Sequence, residues 1–166
     1  MILSCVARLT ADRDPNAPTF NLLVRALESV EDGARPARVA VVFGLRHVDA
    51  LGHRLRTDAC VACEASAVVA ADRVAMDVTG GGTVCPRCAA ALGGVLTISA
   101  SALGVLKRLR RAGWDESMTL PFQREEVELR GLLEAQVSGL IGQSTRSARF
   151  LREVRRVSAA VEGSNG

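Results

Sequence analysis

The sequence predicts a mainly α fold, a helical domain into which a four-cysteine zinc-ribbon hairpin is inserted. Three observations carry that prediction. First, Cys60-Val-Ala-Cys63 and Cys85-Pro-Arg-Cys88 form two CxxC pairs, the pattern of a zinc ribbon. Second, apolar residues recur at helical spacing on both sides of those pairs. Third, only 3% of residues are aromatic while 48% are apolar, so Ala, Leu and Val must fill the core, which suits packed helices. A chain of 166 residues is long enough for one domain with a sizeable core. The expected organisation is one helical domain over 1–158, the hairpin inserted at 57–96, and a tail at 159–166.

The elements follow in order. A short helix is expected at about 2–10, with Cys5 on the face of Ile2, Val6 and Leu9 as a buried, inert thiol. Asp14-Pro15-Asn16-Ala17-Pro18 reads as a turn. Thr19 then caps a helix whose buried side is Phe20, Leu23, Leu27 and Val30, with Ala26 beside them, and Gly33 ends it. Pro36 opens the next helix at a position that tolerates its missing donor. Val39, Val42, Phe43 and Ala50 mark its buried side, and Gly52 its end. In the hairpin, Val74, Met76 and Val78 alternate as in a strand, and Gly80-Gly81-Gly82 supplies the turn. Residues 89–106 carry no charge, yet Gly93-Gly94, Thr97, Ser99 and Ser101 interrupt them, so they read as loop, short strand and helix start rather than a membrane span. Ser99 or Ser101 caps a helix carrying Leu103, Leu106 and Leu109. Gly113 stops it, and 114–121 is a connection. A long helix at about 123–141 buries Leu129, Leu132, Leu133, Val137, Leu140 and Ile141. A last helix at about 146–157 buries Phe150, Leu151, Val154 and Val157.

The candidate metal ligands are Cys60, Cys63, Cys85 and Cys88. Two residues between cysteines let a tight turn aim both sulfurs at one point, and two such turns complete a tetrahedral thiolate cage. The competing readings are two unrelated pairs or a redox pair, but a redox CxxC needs one copy in a strand–helix context. Four thiolates leave no open position, so Zn2+ here is expected to be structural. Four cysteines at one site also suit a reducing compartment, and nothing resembles a secretion signal, so a cytoplasmic location is expected.

Catalysis is not expected. A zinc deaminase needs HxE and PCxxC, whereas the histidines read His47-Val48-Asp49 and His53-Arg54-Leu55 and are expected on a helix surface or at its end. No phosphate-binding GxxxxGK[ST] loop or nucleophile elbow is present. Glu125-Glu126-Glu128 open the long helix, where the dipole favours acidic side chains.

Net charge is only +3, but its whole excess lies beyond residue 100. Two basic clusters are candidate DNA contacts. Lys107, Arg108, Arg110 and Arg111 sit at a helix C-terminus, where the dipole alone also accounts for them. Arg146, Arg149, Arg152 and Arg156 fall on one side of the last helix, opposite its apolar side; they suit phosphates, or form an ordinary solvated face.

From Phe20 to Leu151 the landmarks taken together resemble the C-terminal part of the bacterial DNA repair protein RecO family. They are Phe20-Asn-Leu-Leu, Phe43-Gly-Leu-Arg46, Leu51-Gly52, the first CxxC, Gly80-Gly81-Gly82, the second CxxC, Leu96-Thr-Ile-Ser99, Glu128-Leu129-Arg-Gly-Leu132-Leu133 and Arg146-Ser147-Ala-Arg149-Phe150-Leu151. Their joint order carries the resemblance. Glu64 departs from it, standing where the family usually has Gly, as does Arg146, where Lys is common. The family's N-terminal OB-fold barrel has no counterpart here, so the chain is expected to start inside the helical domain. The resemblance implies a recombination mediator that binds single- and double-stranded DNA and anneals strands. It also implies that, with RecR, such a protein loads RecA onto DNA coated by single-strand-binding protein and contacts that protein's acidic C-terminal tail. The alternative is a zinc-stabilised protein-binding adaptor without DNA binding of its own.

Overall fold

The computed structural model describes residues 16–66 and 72–142. The expected helices at 2–10 and 146–157, the tail at 159–166, Cys5, and the arginines at 146, 149, 152 and 156 lie outside the described residues.

Helix α1 spans Ala17–Glu31. Its N-cap is Asn16, whose side-chain oxygen accepts from the Thr19 N–H at 3.0 Å, with Pro18 in the first turn. Thr19 is therefore inside the helix rather than its cap. Gly33, at φ +88°, ends it by turning left-handed, where only glycine is unstrained. Helix α2, Pro36–Ala50, begins on its proline and closes at Gly52, where the His53 N–H reaches back to the Val48 carbonyl at 2.9 Å.

The face of α1 matches the expectation at Ala26 and at Leu23, which packs half-buried on the core, and differs at the other positions. Thr19 and Ala26 are the buried residues, while Phe20 and Leu27 are 65% and 50% exposed and Val30 is exposed too. Thr19 and Ala26 are two turns apart on one line of the helix. Their small side chains let α1 lie close to α2, while Phe20, Leu27 and Val30 turn outward and Leu22 and Leu23 pack at the edge of the core. Ala50, expected on the inner side of α2, is likewise exposed at its last turn.

Strands β1 (Arg73–Asp77), β2 (Gly82–Val84) and β3 (Leu96–Ser99) form an antiparallel sheet in the order β2-β1-β3. A six-residue helix α3, Pro86–Ala91, follows the second cysteine pair. Helix α4, Ala100–Arg111, is capped by Ser99, whose hydroxyl accepts from the Ala102 N–H at 3.1 Å. The expected connection after Gly113 instead contains a short helix, α5 (Trp114–Thr119). Trp114 is buried there, and its indole N–H donates to Ser29 Oγ at 2.8 Å, tying α5 to α1. Helix α6 covers 126–142 and buries Leu129, Leu132 and Leu133.

The main core gathers Phe43, Val39 and Val42 of α2, Leu106 and Leu109 of α4, Phe122, and the α6 leucines. Val74, Met76 and Ile98 of the sheet belong to the same cluster. The opposite face of β1 carries Ala75, which packs on a second, smaller cluster of Cys60, Val84 and Cys85. Period-two alternation thus makes one strand the wall between two cores.

Candidate metal centre and basic face

The four predicted ligands converge. The Sγ atoms of Cys60, Cys63, Cys85 and Cys88 all lie within 4.8 Å of one another. Backbone pairing positions the first pair on the second. The Arg56 N–H donates to the Gly81 carbonyl at 2.8 Å, Thr83 N–H to the Arg56 carbonyl at 2.9 Å, and Val61 N–H to the Thr83 carbonyl at 2.9 Å. The segment entering the first knuckle is in effect an extra strand on β2. Gly82 is essential to that seam, because a Cβ there would collide with the Arg56 carbonyl oxygen. Asp77 shapes the hairpin turn by accepting from the Thr79 and Gly80 N–H groups at 3.1 and 2.8 Å.

The sulfur geometry fits a single tetrahedral ion. Cys63 Sγ and Cys85 Sγ are 3.8 Å apart. A tetrahedron with metal–sulfur bonds of ~2.3 Å has edges of about 3.8 Å. Backbone N–H groups at the two knuckles favour the ionised form of two of the thiols. Cys60 is drawn down to about 6, chiefly by the backbone N–H of Cys85 and then by those of Ala62 and Cys63. Cys85 is lowered too, chiefly by the Cys88 N–H, whereas the Cys88 thiol is pushed up to about 12, chiefly by its neighbour Cys85. Ionising one sulfur in such a cluster makes the next harder to ionise. A central cation reverses that penalty and deprotonates its ligands.

Glu64, two residues into the loop after Ala62, has φ +59°. That left-handed conformation explains why glycine suits the position. Its carboxylate takes a bidentate pair from Arg56, at 3.0 and 2.8 Å, which holds the knuckle's exit against its entrance.

The predicted basic cluster on α4 divides. The Arg110 side chain is 4% exposed; its Nε and Nη2 donate to Asp49 at 3.0 Å each and its Nη1 to the Leu55 carbonyl at 2.8 Å. It anchors α4 to the end of α2 and does not face solvent. Lys107 pairs with Asp58 at 3.0 Å, while Arg108 and Arg111 are exposed. Other arginines are internal braces: Arg38 donates to the Met118 and Leu120 carbonyls at 2.6 Å and lies over Phe122. The acidic residues of α6 are braces as well. Glu126 is buried with Arg35 at 3.5 Å, and Glu128 accepts from the Ser99 N–H.

His47 overturns its expectation. It is fully buried in α2, stacked on Phe43 at 5.5 Å, with Nδ1 3.4 Å from the Thr19 hydroxyl. Burial pulls its basicity below the ordinary imidazole value. His53, just past α2, is exposed. Between α2 and α4 a cavity of about 250 Å³ is lined by Val42, Leu45, Leu109, Arg46, Asp49 and Arg110. Arg46 Nε is buried there without a partner among the described residues, although its Nη2 holds the Ala112 carbonyl at 2.7 Å.

The family described as Recombination protein O C terminal matches residues 1–149. The chain belongs to the RecO family. Among relatives named DNA repair protein RecO, that of Anaeromyxobacter sp. (strain Fw109-5) is 36% identical over 149 residues, covering 88% of this chain and 57% of the relative. That of Rhodopirellula baltica is 25% identical over 166 residues, covering 86% and 62%. That of Frankia casuarinae is 29% identical over 153 residues, covering 91% and 60%. The chain thus spans about three fifths of the length of these RecO relatives. RecO membership places it in DNA repair and recombination. Among the described residues, no helix is long and apolar enough to cross a membrane.

Proposed function

We propose that this chain is the helical, zinc-clasped region of a recombination mediator, gripping DNA and partner proteins without cutting bonds. The family match over residues 1–149 is the observation that supports it most. In this reading Zn2+ is held by Cys60, Cys63, Cys85 and Cys88 and supplies cohesion; four thiolates leave no position for water or substrate. Lys107, Arg108 and Arg111 face the phosphates of single- or double-stranded DNA, while Arg110 keeps α4 in place behind them. With RecR, the whole protein anneals strands and helps to load RecA onto DNA coated by single-strand-binding protein, in the cytoplasm at the nucleoid. That protein's acidic, apolar tail suits the cleft between α2 and α4, where Val42, Leu45 and Leu109 adjoin the Arg46 guanidinium.

Fluorescence anisotropy with a labelled single strand in rising salt tests the DNA half of the proposal. Affinity should fall log-linearly with salt, because each phosphate contact releases counterions. Absent or salt-insensitive binding contradicts it. The adaptor reading is favoured by the same cleft: binding of the acidic tail peptide without any binding of DNA would establish it instead. Metal analysis of purified protein should return one zinc per chain.

A further inference from the structure

Asp58 sits where the linker from α2 approaches the first knuckle, and its side chain is 88% exposed. Lys107 Nζ reaches its Oδ1 at 3.0 Å from the side of α4. Arg111, one turn further along the same helix, and Arg54, from the linker, both direct their fields at the same carboxylate. Lys107 thus pairs with Asp58 directly, and Arg111 and Arg54 add a weaker, longer-range attraction to the same anion. Among the described residues, neither arginine is fully engaged elsewhere. Arg111 is exposed, and Arg54 is 64% exposed with only a 3.9 Å approach to Asp49. Arg110, between Lys107 and Arg111 in sequence, is locked to Asp49 and fixes the pitch at which its neighbours face outward.

A carboxylate and a strand phosphate offer an ammonium group the same chemistry, an oxyanion at hydrogen-bond distance. An exposed pair of this kind is weak enough to exchange. We propose that Asp58 is a built-in competitor for nucleic-acid phosphate, holding Lys107 in the free protein and yielding it when a strand crosses α4. This rests on the reading that the α4 face binds DNA. Asp58 then sets the threshold of that face: isolated phosphates do not displace it, whereas a strand engaging Arg54, Lys107 and Arg111 together does.

The test compares the whole chain with Asp58→Asn and, as a control for net charge alone, Glu134→Gln on α6, all carrying their metal and checked for an unchanged melting temperature. With a labelled single strand at low salt, Asp58→Asn should bind on the order of three- to fivefold tighter, the range expected when one exposed charge pair is removed. Its salt slope should stay close to that of the natural sequence, because Lys107 reaches a phosphate in both complexes and only the cost of leaving Asp58 is removed. Lys107→Gln should cost more affinity in the Asp58→Asn background than in the natural sequence. Equal gains from Asp58→Asn and Glu134→Gln reduce the effect to net charge and overturn the proposal, as does no gain. If neither the natural chain nor Asp58→Asn binds DNA, the DNA reading itself fails and takes the competitor with it.

Discussion

The two faces of β1 look onto two cores held together by different physics. On one side Val74 and Met76 join Phe43, Leu106, Leu129 and Leu132, a broad apolar cluster stabilised by area removed from water. On the other side Ala75 meets Cys60, Val84 and Cys85, a cluster too small to hold loops by burial alone. The helical side is over-determined by many interchangeable contacts. The knuckle side depends on four sulfurs and a few backbone hydrogen bonds. The largest difference should appear on metal removal. Structural zinc contributes on the order of 10 kcal/mol to folding in small peptides. Chelation, or Cys85→Ser, should abolish amide protection at 56–66 and 82–92 while α2 and α6 stay protected. Equal retention of protection on both sides after chelation would remove the distinction between the cores.

The reverse perturbation belongs to the helical side. Phe43→Ala empties a fully buried position beside His47 and should cost about 3–5 kcal/mol in denaturant unfolding. The same variant should still bind one metal per chain, since Phe43 has no part in the second cluster. Gly82→Ala tests the seam between the two. Its new Cβ would meet the Arg56 carbonyl and force the first knuckle off β2, at a cost of about 2 kcal/mol. Metal affinity should fall with it, which Phe43→Ala does not cause.

How much of this was legible depended on how local the cause was. The four-cysteine site was readable because ligand spacing and turn chemistry are fixed within a few residues. The Gly33 and Gly52 stops were readable for the same reason, as was a serine cap on α4, although the sequence left Ser99 and Ser101 as alternatives. The buried face of α1 was legible only in part: Ala26 and Leu23 do turn to the core, but close approach to α2 brings in Thr19 and leaves Phe20 and Leu27 outside, and that preference belongs to the partner helix. Arg110 and Arg111 are adjacent in one basic run, yet one is locked to Asp49 and the other faces water. Only the rotation of α4 against α2 separates them. The short helices α3 and α5 were missed because six residues are too few to show a period.

His47 sharpens the comparison through pH. Its imidazole is buried and neutral, with basicity lowered by desolvation. In the unfolded chain it titrates at an ordinary value near 6.5. Below that value the unfolded chain binds the extra proton first, so stability falls as pH drops from 6.5 toward the lower folded value. His47→Leu should flatten this acid slope in Trp114 fluorescence melts, read above the pH at which metal is lost. An unchanged slope would assign the acid sensitivity to other groups.

The smallest effect is expected at Glu64, and it tests whether the knuckle side has any slack. Glu64 adopts φ +59°, a conformation that a side chain disfavours and glycine accepts freely. The Arg56 pair compensates by fixing the carboxylate across the loop at 3.0 and 2.8 Å. Both groups are exposed, so the pair itself is weak and screened by salt. Glu64→Gly relieves the backbone and loses the pair together, and the melting temperature should move by no more than about 2 °C. Arg56→Ala alone keeps the strain and removes its compensation, so it should lower the melting temperature more than Glu64→Gly does. In the Glu64→Gly background, Arg56→Ala should do nothing further. If the two changes instead add, Arg56 is holding something other than Glu64, and the left-handed turn after Cys63 is held by its own backbone bonds alone.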